Sequence, residues 1–410
     1  MTNKTLGNRD LMRAMNRSIV LNIVRTYGPV ARAEIARRSG LSPATITGIS
    51  AELIEEGLIF EKETGDSSGG RRPILLALNP FGGYVIGIKL TEQNMIGALT
   101  DLKTNVLVKK TRQLGERSVD AIVESLAELV LNMLQKAELP KKKLLGVGVG
   151  LAGIVDFERG LLRQSPFLGW KDVPLRDLLQ ERLRVPVYID NDVNTLTQAE
   201  KWFGSGQGID NFLTITIGRG VGMGIVVNGQ FYRGLRGGAG EFGHIVIDDD
   251  GPQCECGNRG CLESYVSDPA ILREAQAAYQ EGVLPTPVEN IEALVHYAQQ
   301  GNPAAIEIFE RAGSVLGKGV ANLINIFNPQ RIIIGGEGVK MWDFLLEAMQ
   351  TAIDCHVMPG LQGDTEIQVE PWGDDAWARG AASLVLRELF ESPIHRSPNI
   401  EEKADVQAVL

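Results

Sequence analysis

Apolar residues recur at helical spacing over roughly the first fifty-six positions, while strand and helical spacing alternate after about residue 80. From about Arg9 to Tyr27, Met15, Ile19 and Ile23 share one helical face with Val20 and Val24 beside it, and Gly28-Pro29 ends the run. A second helix is expected over Arg32 to Ser39, with Ile35 and Ala36 inward and Gly40 as its stop. Ser42-Pro43 reads as an N-cap and first-turn proline, and Ile46, Ile49 and Leu53 carry a third helix to Glu56, closed by Gly57. Two short helices joined by a tight glycine-containing turn, the second strongly capped, predict a helix-turn-helix. Leu58-Ile59-Phe60, a polar tip from Gly65 to Arg72, and Pro73-Ile74-Leu75-Leu76 add a strand, a loop and a strand, the pattern of a wing.

After Asn79-Pro80 the texture changes. Tyr84–Leu90, Met95–Leu102 and Val106–Leu114 predict a strand meander, followed by an amphipathic helix from Ser118 to Lys136. Lys141-Lys142-Lys143 is a solvated turn, Leu145–Leu151 a buried strand, and Val187–Ile189 a strand ending at Asp190-Asn191-Asp192 with a helix to Phe203. The theme then restarts. Phe212–Ile217, Gly222–Asn228 and His244–Asp248 predict three more strands, followed by helices that include Pro303 to Ile326. Arg331–Ile334 and Glu366–Val369 are strands, and a closing helix runs from Asp375 to Leu389. Two halves with one element order suggest two similar α/β lobes around a cleft. The expected division is a winged helix-turn-helix over 1–80, a first lobe over 81–202, a second over 203–390 whose final helix packs on the first lobe, and a poorly ordered tail over 391–410.

Charge sharpens this picture. Residues 1–80 carry 11 Lys and Arg against 8 Asp and Glu, while the whole chain carries 41 against 51, so the acidic excess lies entirely beyond residue 80. Nucleic acid binding is therefore expected of the head alone. A recognition helix in the major groove would present Ser42, Ala44, Thr45 and Thr47, and the wing would bring Arg71 and Arg72 to phosphates or the minor groove. A palindromic site calls for a homodimer or dimer of dimers. No apolar run approaches the roughly 18 residues of a membrane span. The polar start lacks a signal-peptide core, and four cysteines in 410 residues suit a reducing cytoplasm better than a disulfide framework.

Three of those cysteines, Cys254, Cys256 and Cys261, fall within eight residues, and His244 precedes them by ten positions. Four N/S ligands with no vacant position suit one tetrahedral structural zinc per chain, and Gly257 and Gly260 allow the required turns. Glu241 and Glu263 flank the set and are poor ligands for such an ion, so the metal would position them to bind something else. Asp190-Asn191-Asp192 ends a buried strand and opens a helix, where ligands of open α/β sheets sit. Asp190 reads as part of a capping cluster, while Asn191 and Asp192 read as ligands to a polyol. The glycines of Gly218–Gly224 serve equally as a phosphate cradle or as a tight strand turn.

These residues resemble the ROK family of sugar-responsive repressors, open reading frames and sugar kinases, over almost the whole chain except the tail. The resemblance is carried by Ile217, Gly220–Ile225, Gly234, Gly240, Gly243-His244 and the Cys-x-Cys-Gly-Asn-Arg-Gly-Cys-Leu-Glu segment. Gly40–Thr45 and Gly69–Pro73 look like the DNA-binding head of its repressor branch, of the xylose or glucose type. It implies an actin-like (ribonuclease H-like) two-lobed sugar-kinase fold. It also implies sugar contacts at Gly153, Asn191, Asp192, Glu241, His244 and Glu263, with Asn191 and Asp192 on one wall of the cleft and Glu241, His244 and Glu263 on the other. In kinase members the position of Asp192 is also the catalytic base. Those members carry Asp-x-Gly-Gly-Thr where this chain reads Lys89-Leu90-Thr91-Glu92-Gln93. Loss of the carboxylate and of both glycines removes the positioning and charge neutralisation that phosphoryl transfer needs. A non-enzymatic repressor that a monosaccharide (xylose, glucose or a related sugar) releases from operator DNA is thus expected. The alternatives are an ATP-dependent sugar kinase with an accessory DNA-binding head and a zinc-stabilised scaffold governed by a protein partner. Ala31 stands where many family repressors have Ser, so the second helix lacks a capping box.

Overall fold

The computed structural model describes residues 8–63 and 74–390. Arg71 and Arg72, expected on the wing, and the expected tail at 391–410 lie outside the described residues. The head comprises α1 (Asn8–Tyr27), β1 (Val30–Ala31), α2 (Arg32–Ser39), α3 (Pro43–Glu55), β2 (Ile59–Glu63) and β3 (Ile74–Leu78), with strand order β1-β3-β2. The α3 helix starts where Ser42 Oγ accepts the Thr45 amide at 3.1 Å, and it buries Ile46, Ile49 and Leu53. In α2, Ala31 makes no side-chain cap, and Glu34 turns instead to Arg37 and Arg38 at 2.6 Å.

Two five-stranded sheets follow, with matching order. The first is built from β4 (Tyr84–Leu90), β5 (Asn94–Asp101), β6 (Val106–Gln113), β7 (Leu144–Leu151) and, at the far edge, a strand over Val187–Asn191. Between β5's meander and that edge lie α4 (Val119–Lys136), a small sheet of β8 (Ile154–Asp156), β9 (Leu161–Ser165) and β10 (Trp170–Val173), and α5 (Leu175–Leu183). The edge strand is β11, and the order is β11-β7-β4-β5-β6, with β4 antiparallel to β5 and parallel to β7. The chain continues into α6 (Asp192–Phe203), β12 (Phe212–Ile217), β13 (Val221–Val227), β14 (Gln230–Phe231), α7 (Glu263–Val266), α8 (Asp268–Gln280), α9 (Ile291–Gln299), α10 (Pro303–Phe327), β15 (Arg331–Gly335), α11 (Trp342–His356), β16 (Glu366–Glu370) and α12 (Asp374–Phe390). The second sheet has order β14-β13-β12-β15-β16, with β12 antiparallel to β13 and parallel to β15. Element for element this repeats the first: a meander, a parallel strand beside its first member, and one more strand at the edge.

The chain divides into two compact units, Met1–Asp190 with Ala378–Leu410, and Asn191–Trp377. This differs from the division expected at 202/203. The strand ending at Asp190 belongs to the first sheet, but the helix that follows packs on β13. Glycines allow it: a Cβ on Gly222 would meet Val193 Cγ2 at 2.6 Å, and one on Gly224 would meet Thr197 Oγ1 at 2.0 Å. Conversely, most of α12 lies on the first sheet, where a Cβ on Gly87 would meet Ala378 O at 1.9 Å and one on Gly148 would meet Ala381 O at 1.8 Å. Each edge strand thus feeds a helix to the other unit's sheet.

The strand expected over His244–Asp248 does not form. Phe242–His244 is a single 3-10 turn, and beyond it Val246 makes only an isolated bridge to Cys261. The third strand of this meander is the two-residue β14. The reason is that residues 240–244 lie against β13 by close backbone approach, not by a ladder: a Cβ on Gly240 would sit 2.0 Å from Met223 O, and one on Gly243 2.3 Å from Val221 O.

Gly148→Ala should force α12 off the sheet, since the atom it strikes is backbone. We expect a loss of about 2–3 kcal/mol, read as a lower denaturant midpoint, while an unchanged midpoint would mean that α12 does not pack through this glycine.

Candidate functional site

The 3-10 turn is anchored by Phe242, 2% exposed in the second unit's core together with Leu262. That anchor fixes His244. The cysteine loop is shaped by its own bonds, from Gly257 N to Cys254 O at 3.1 Å and from Cys254 N to Asn258 O at 2.8 Å. Gly260 takes φ +65° directly against Asp248 O, where a Cβ would lie 1.5 Å away. The result is that one donor atom from each of His244, Cys254, Cys256 and Cys261 lies within 4.8 Å of all the others. His244 Nδ1 is 3.6 Å from Cys254 Sγ, and Cys256 Sγ is 3.7 Å from Cys261 Sγ. Tetrahedral zinc with ordinary bond lengths requires N···S near ~3.5 Å and S···S near ~3.8 Å, so the donor set fits a metal ion. Burial pushes the Cys254 thiol up and the Cys261 thiol up to about 12, with the neighbouring thiols adding to the latter. Burial also acts to raise exposed Cys256, but the hydrogen bond to the Asn258 backbone and those with the other two thiols bring it below its ordinary value. A bound cation would favour all three as thiolates.

The other imidazole nitrogen faces away from the thiols. His244 Nε2 lies 3.9 Å from Glu241 Oε2. The Glu241 carboxyl is held above its usual range, first because protein crowds it, then because the charges of Glu263 and Asp192 oppose its ionisation, with His244 acting the other way. Its side chain still keeps 47% of its accessibility, so it can be reached from solvent. Glu263 opens α7, and its Oε2 accepts the Val221 amide at 2.8 Å. Asp192 opens α6, with Oδ1 3.1 Å from the Val193 amide. Asp192, Glu241, His244 and Glu263 therefore meet at one place.

Asn191 is more committed than its sequence context indicates. Its Oδ1 caps α6, accepting Val193 N at 2.9 Å and Asn194 N at 3.3 Å. Asp190 is fully buried at the end of β11. The two-wall arrangement needs correcting: Asn191 and Asp192 belong to the same compact unit as Glu241, His244 and Glu263, because α6 packs on β13. Gly153 is the expected ligand that lies in the other unit. It stands between β7 and β8 at φ +128°, where a Cβ would meet Gln164 O at 2.2 Å. The glycine loop after β12 is a tight hairpin turn, with Gly218 N on Gly220 O at 3.1 Å. The Val221 amide that holds Glu263 escapes sequence reasoning, since a backbone donor carries no residue signature.

In the head, Ser42, Ala44 and Thr47 are exposed and Thr45 is half-buried. Ser42 Oγ and Thr45 Oγ1 are 2.8 Å apart, and Thr47 Oγ1 donates to Pro43 O at 2.9 Å.

A model of the ROK family matches residues 85–388. The chain belongs to the ROK family. Over 397 residues it is 33% identical to a protein named putative xylose repressor from Caldicellulosiruptor sp. (strain Rt8B.4), covering 95% of this chain and 99% of that one. Among solved structures it is similar to a ROK family transcriptional regulator described as a homologue of the E. coli MLC protein. That match has 31% identity and a TM-score of 0.85, and it covers 93% of this chain and 97% of that chain. A ROK family glucokinase from Streptomyces griseus, solved with glucose and AMPPNP, matches at 28% identity and a TM-score of 0.64, covering 74% of this chain but 99% of its own. The neighbours include both regulators and sugar kinases of the ROK family, and they give the body its actin-like fold. Among the described residues no helix is long and apolar enough to cross a membrane.

One further feature lies outside the expected site. Asp268 opens α8 with its amide on Gly218 O at 2.8 Å. Burial raises its carboxyl from 3.8 to about 6, helped by Glu337 and Glu292 and opposed by Lys340 and Arg219. Between those values the folded state holds a proton that the unfolded state has released, so the folded state loses stability as pH rises through this interval. Asp268→Asn should therefore raise the melting temperature at neutral pH and give no gain below the ordinary carboxylate range. A gain that persisted at low pH would show that ionisation is not its source.

Proposed function

We propose that this chain is a sugar-responsive transcriptional repressor of the ROK family that binds double-stranded operator DNA through residues 1–80 and a monosaccharide at the recess of Asp192, Glu241, His244 and Glu263, with Asn191 and Gly153 as further contacts, and that carries out no phosphoryl transfer. One observation carries this reading. The glucokinase matches nearly its whole length to 74% of this chain, whereas the regulator covers 93% of it. The family match begins only at residue 85, which leaves the helical head outside it.

The first hairpin supports the absence of catalysis. Where kinase members present glycines, Thr91 Oγ1 accepts the amides of Gln93 at 3.3 Å and Asn94 at 2.9 Å, closing a compact turn. Arg117 holds Glu92 O at 3.1 Å, and Lys89 is buried. These side chains fill the space in which backbone would approach phosphate, so Asp192 serves as a hydroxyl acceptor and not as a base. An ATP-dependent phosphorylation assay over D-xylose, D-glucose and N-acetyl-D-glucosamine separates this reading from a kinase.

Zinc at His244, Cys254, Cys256 and Cys261 is structural in this proposal. When bound, it neutralises the thiolates and fixes the His244 ring by Nδ1, leaving Nε2 toward Glu241 and the sugar. The protein acts in the cytoplasm as a homodimer or dimer of dimers, with α3 of each head in a major groove. Ser42, Ala44, Thr45 and Thr47 lie along its start, and Arg71 and Arg72 are the further proposed DNA contacts. The sugar-binding α6 begins where the chain passes from one compact unit to the other, so a sugar that binds one arrangement of the units better biases the heads. Sugar releases DNA, and by linkage operator DNA weakens sugar binding by the same factor.

Asp192→Ala should weaken sugar binding by about 2 kcal/mol, roughly thirtyfold, as measured by calorimetry, while operator affinity without sugar stays native. Loss of sugar-free operator binding in this variant would refute the assignment. Cys256→Ser should deprive the protein of zinc by elemental analysis, lower its melting temperature and weaken its sugar response. Native protein prepared without chelators that contains no zinc would end the metal proposal.

A further inference from the structure

The two compact units are joined by two chain crossings, at Asp190/Asn191 and at Trp377/Ala378. The first leads into α6, whose opening residues carry the proposed sugar ligands. The second lies within α12. Between them, inside the second unit, the structure holds a specific tie. Glu200, in the last turn of α6, is 6% exposed. Its Oε1 accepts the Trp372 indole N–H at 2.8 Å, and its Oε2 accepts the Ser205 amide at 2.8 Å. The Trp372 ring is held as well, since it covers Gly335 at the end of β15, where a Cβ would come within 2.1 Å of the ring. Ser205 Oγ and Gln368 Nε2 extend the network to Glu370 on β16. A buried carboxylate with both oxygens engaged, one of them by an immobilised indole, makes a stiff joint between the end of α6 and the segment that enters α12.

From Trp372 the chain reaches α12 within two residues. This helix of 17 residues spans ~25 Å. Its body rests on Gly87 and Gly148 of the first sheet, and at its far end Phe390 is 2% exposed with the Arg25 guanidinium of α1 at 5.5 Å from the ring centre. The α12 helix therefore begins beside the tie and ends on the head.

We propose that the Glu200–Trp372 hydrogen bond is a positioning contact that couples the sugar recess at the start of α6, through α12, to α1 of the DNA-binding head. This rests on the sugar-responsive reading above. A rigid helix with the ligands at one end and the tie at the other converts a change at Asp192 into a displacement of residues 372–377. The α12 helix then carries that displacement to the Arg25–Phe390 contact.

The test is amide hydrogen exchange on the full-length protein, with and without D-xylose, D-glucose or N-acetyl-D-glucosamine, in native protein, Trp372→Phe and Glu200→Gln. Trp372→Phe keeps an aromatic ring over Gly335 and deletes the N–H donor. Glu200→Gln keeps a carbonyl acceptor for the indole. In native protein, the sugar that binds should protect residues 191–203 and alter exchange in both α12 and α1. Trp372→Phe should keep the protection at 191–203 and lose the response in α12 and α1, and Glu200→Gln should retain both. A Trp372→Phe protein that transmits the native response to α12 and α1 overturns the coupling while leaving the sugar site standing. Native protein in which none of the three sugars protects residues 191–203 overturns the site, and the coupling with it. If Trp372→Phe does not fold, Glu200→Leu, which removes the acceptor, must show the same selective loss, and a retained response there overturns the proposal.

Discussion

The site depends on one constraint, the close approach of the backbone at residues 240–244 to the exposed side of β13. Only glycine at 240 and 243 lets the chain come so near the carbonyls of Met223 and Val221. That contact replaces a third full strand by a 3-10 turn, buries Phe242 as an anchor, and leaves Glu241 and His244 projecting from a fixed base. His244 is then divided between two tasks, with Nδ1 among the thiols and Nε2 toward Glu241. The donor cluster and the neighbouring carboxylates share one ring, so neither can be rearranged alone.

The recess gathers like charges, and the fold accommodates them unequally. Glu263 is tied to the Val221 amide and Asp192 to the amide of Val193 at the start of α6. Glu241 has no such backbone bond among those described and sits nearest His244; crowding and its acidic neighbours raise its carboxyl. In the proposed function such a set receives hydroxyl donors, which satisfy carboxylate oxygens without adding charge. A phosphate would meet the opposite conditions at the first hairpin, where side chains and a threonine-closed turn occupy the space.

The duplicated sheets exchange their terminal helices. Each half ends with an edge strand and a helix, and each helix packs on the sheet of the other half, α6 on β13 and α12 on β4 and β7. In both cases glycines on the receiving strands permit contact too close for any side chain. The two chain crossings thus fall at the junction of β11 with α6 and within α12.

Much of this was legible in residue order. Periodicity located the head helices, the first meander, the first two strands of the second, the long helix ending near Phe327 and the closing helix to within a few residues, because burial of one face imposes its period on the sequence. The Cys-x-Cys-x4-Cys spacing with His244 ten residues earlier identified the cluster of donor atoms that could hold a metal ion, since few structural reasons place three thiols so close. Resemblance supplied the carboxylates and the family. What the chain order could not determine was which surfaces meet. The helix after Asp192 was assigned to the first lobe, because it follows that lobe's strand. The stretch from His244 to Asp248 was read as a strand, because its apolar alternation is strand-like. Asn191 was read as a ligand without its capping bonds. Local pattern reports how much of a segment is buried but not against what. The packing partner was decided by the absence of a Cβ at Gly222, Gly224, Gly240 and Gly243, whose consequence exists only once a second backbone arrives at that point in space.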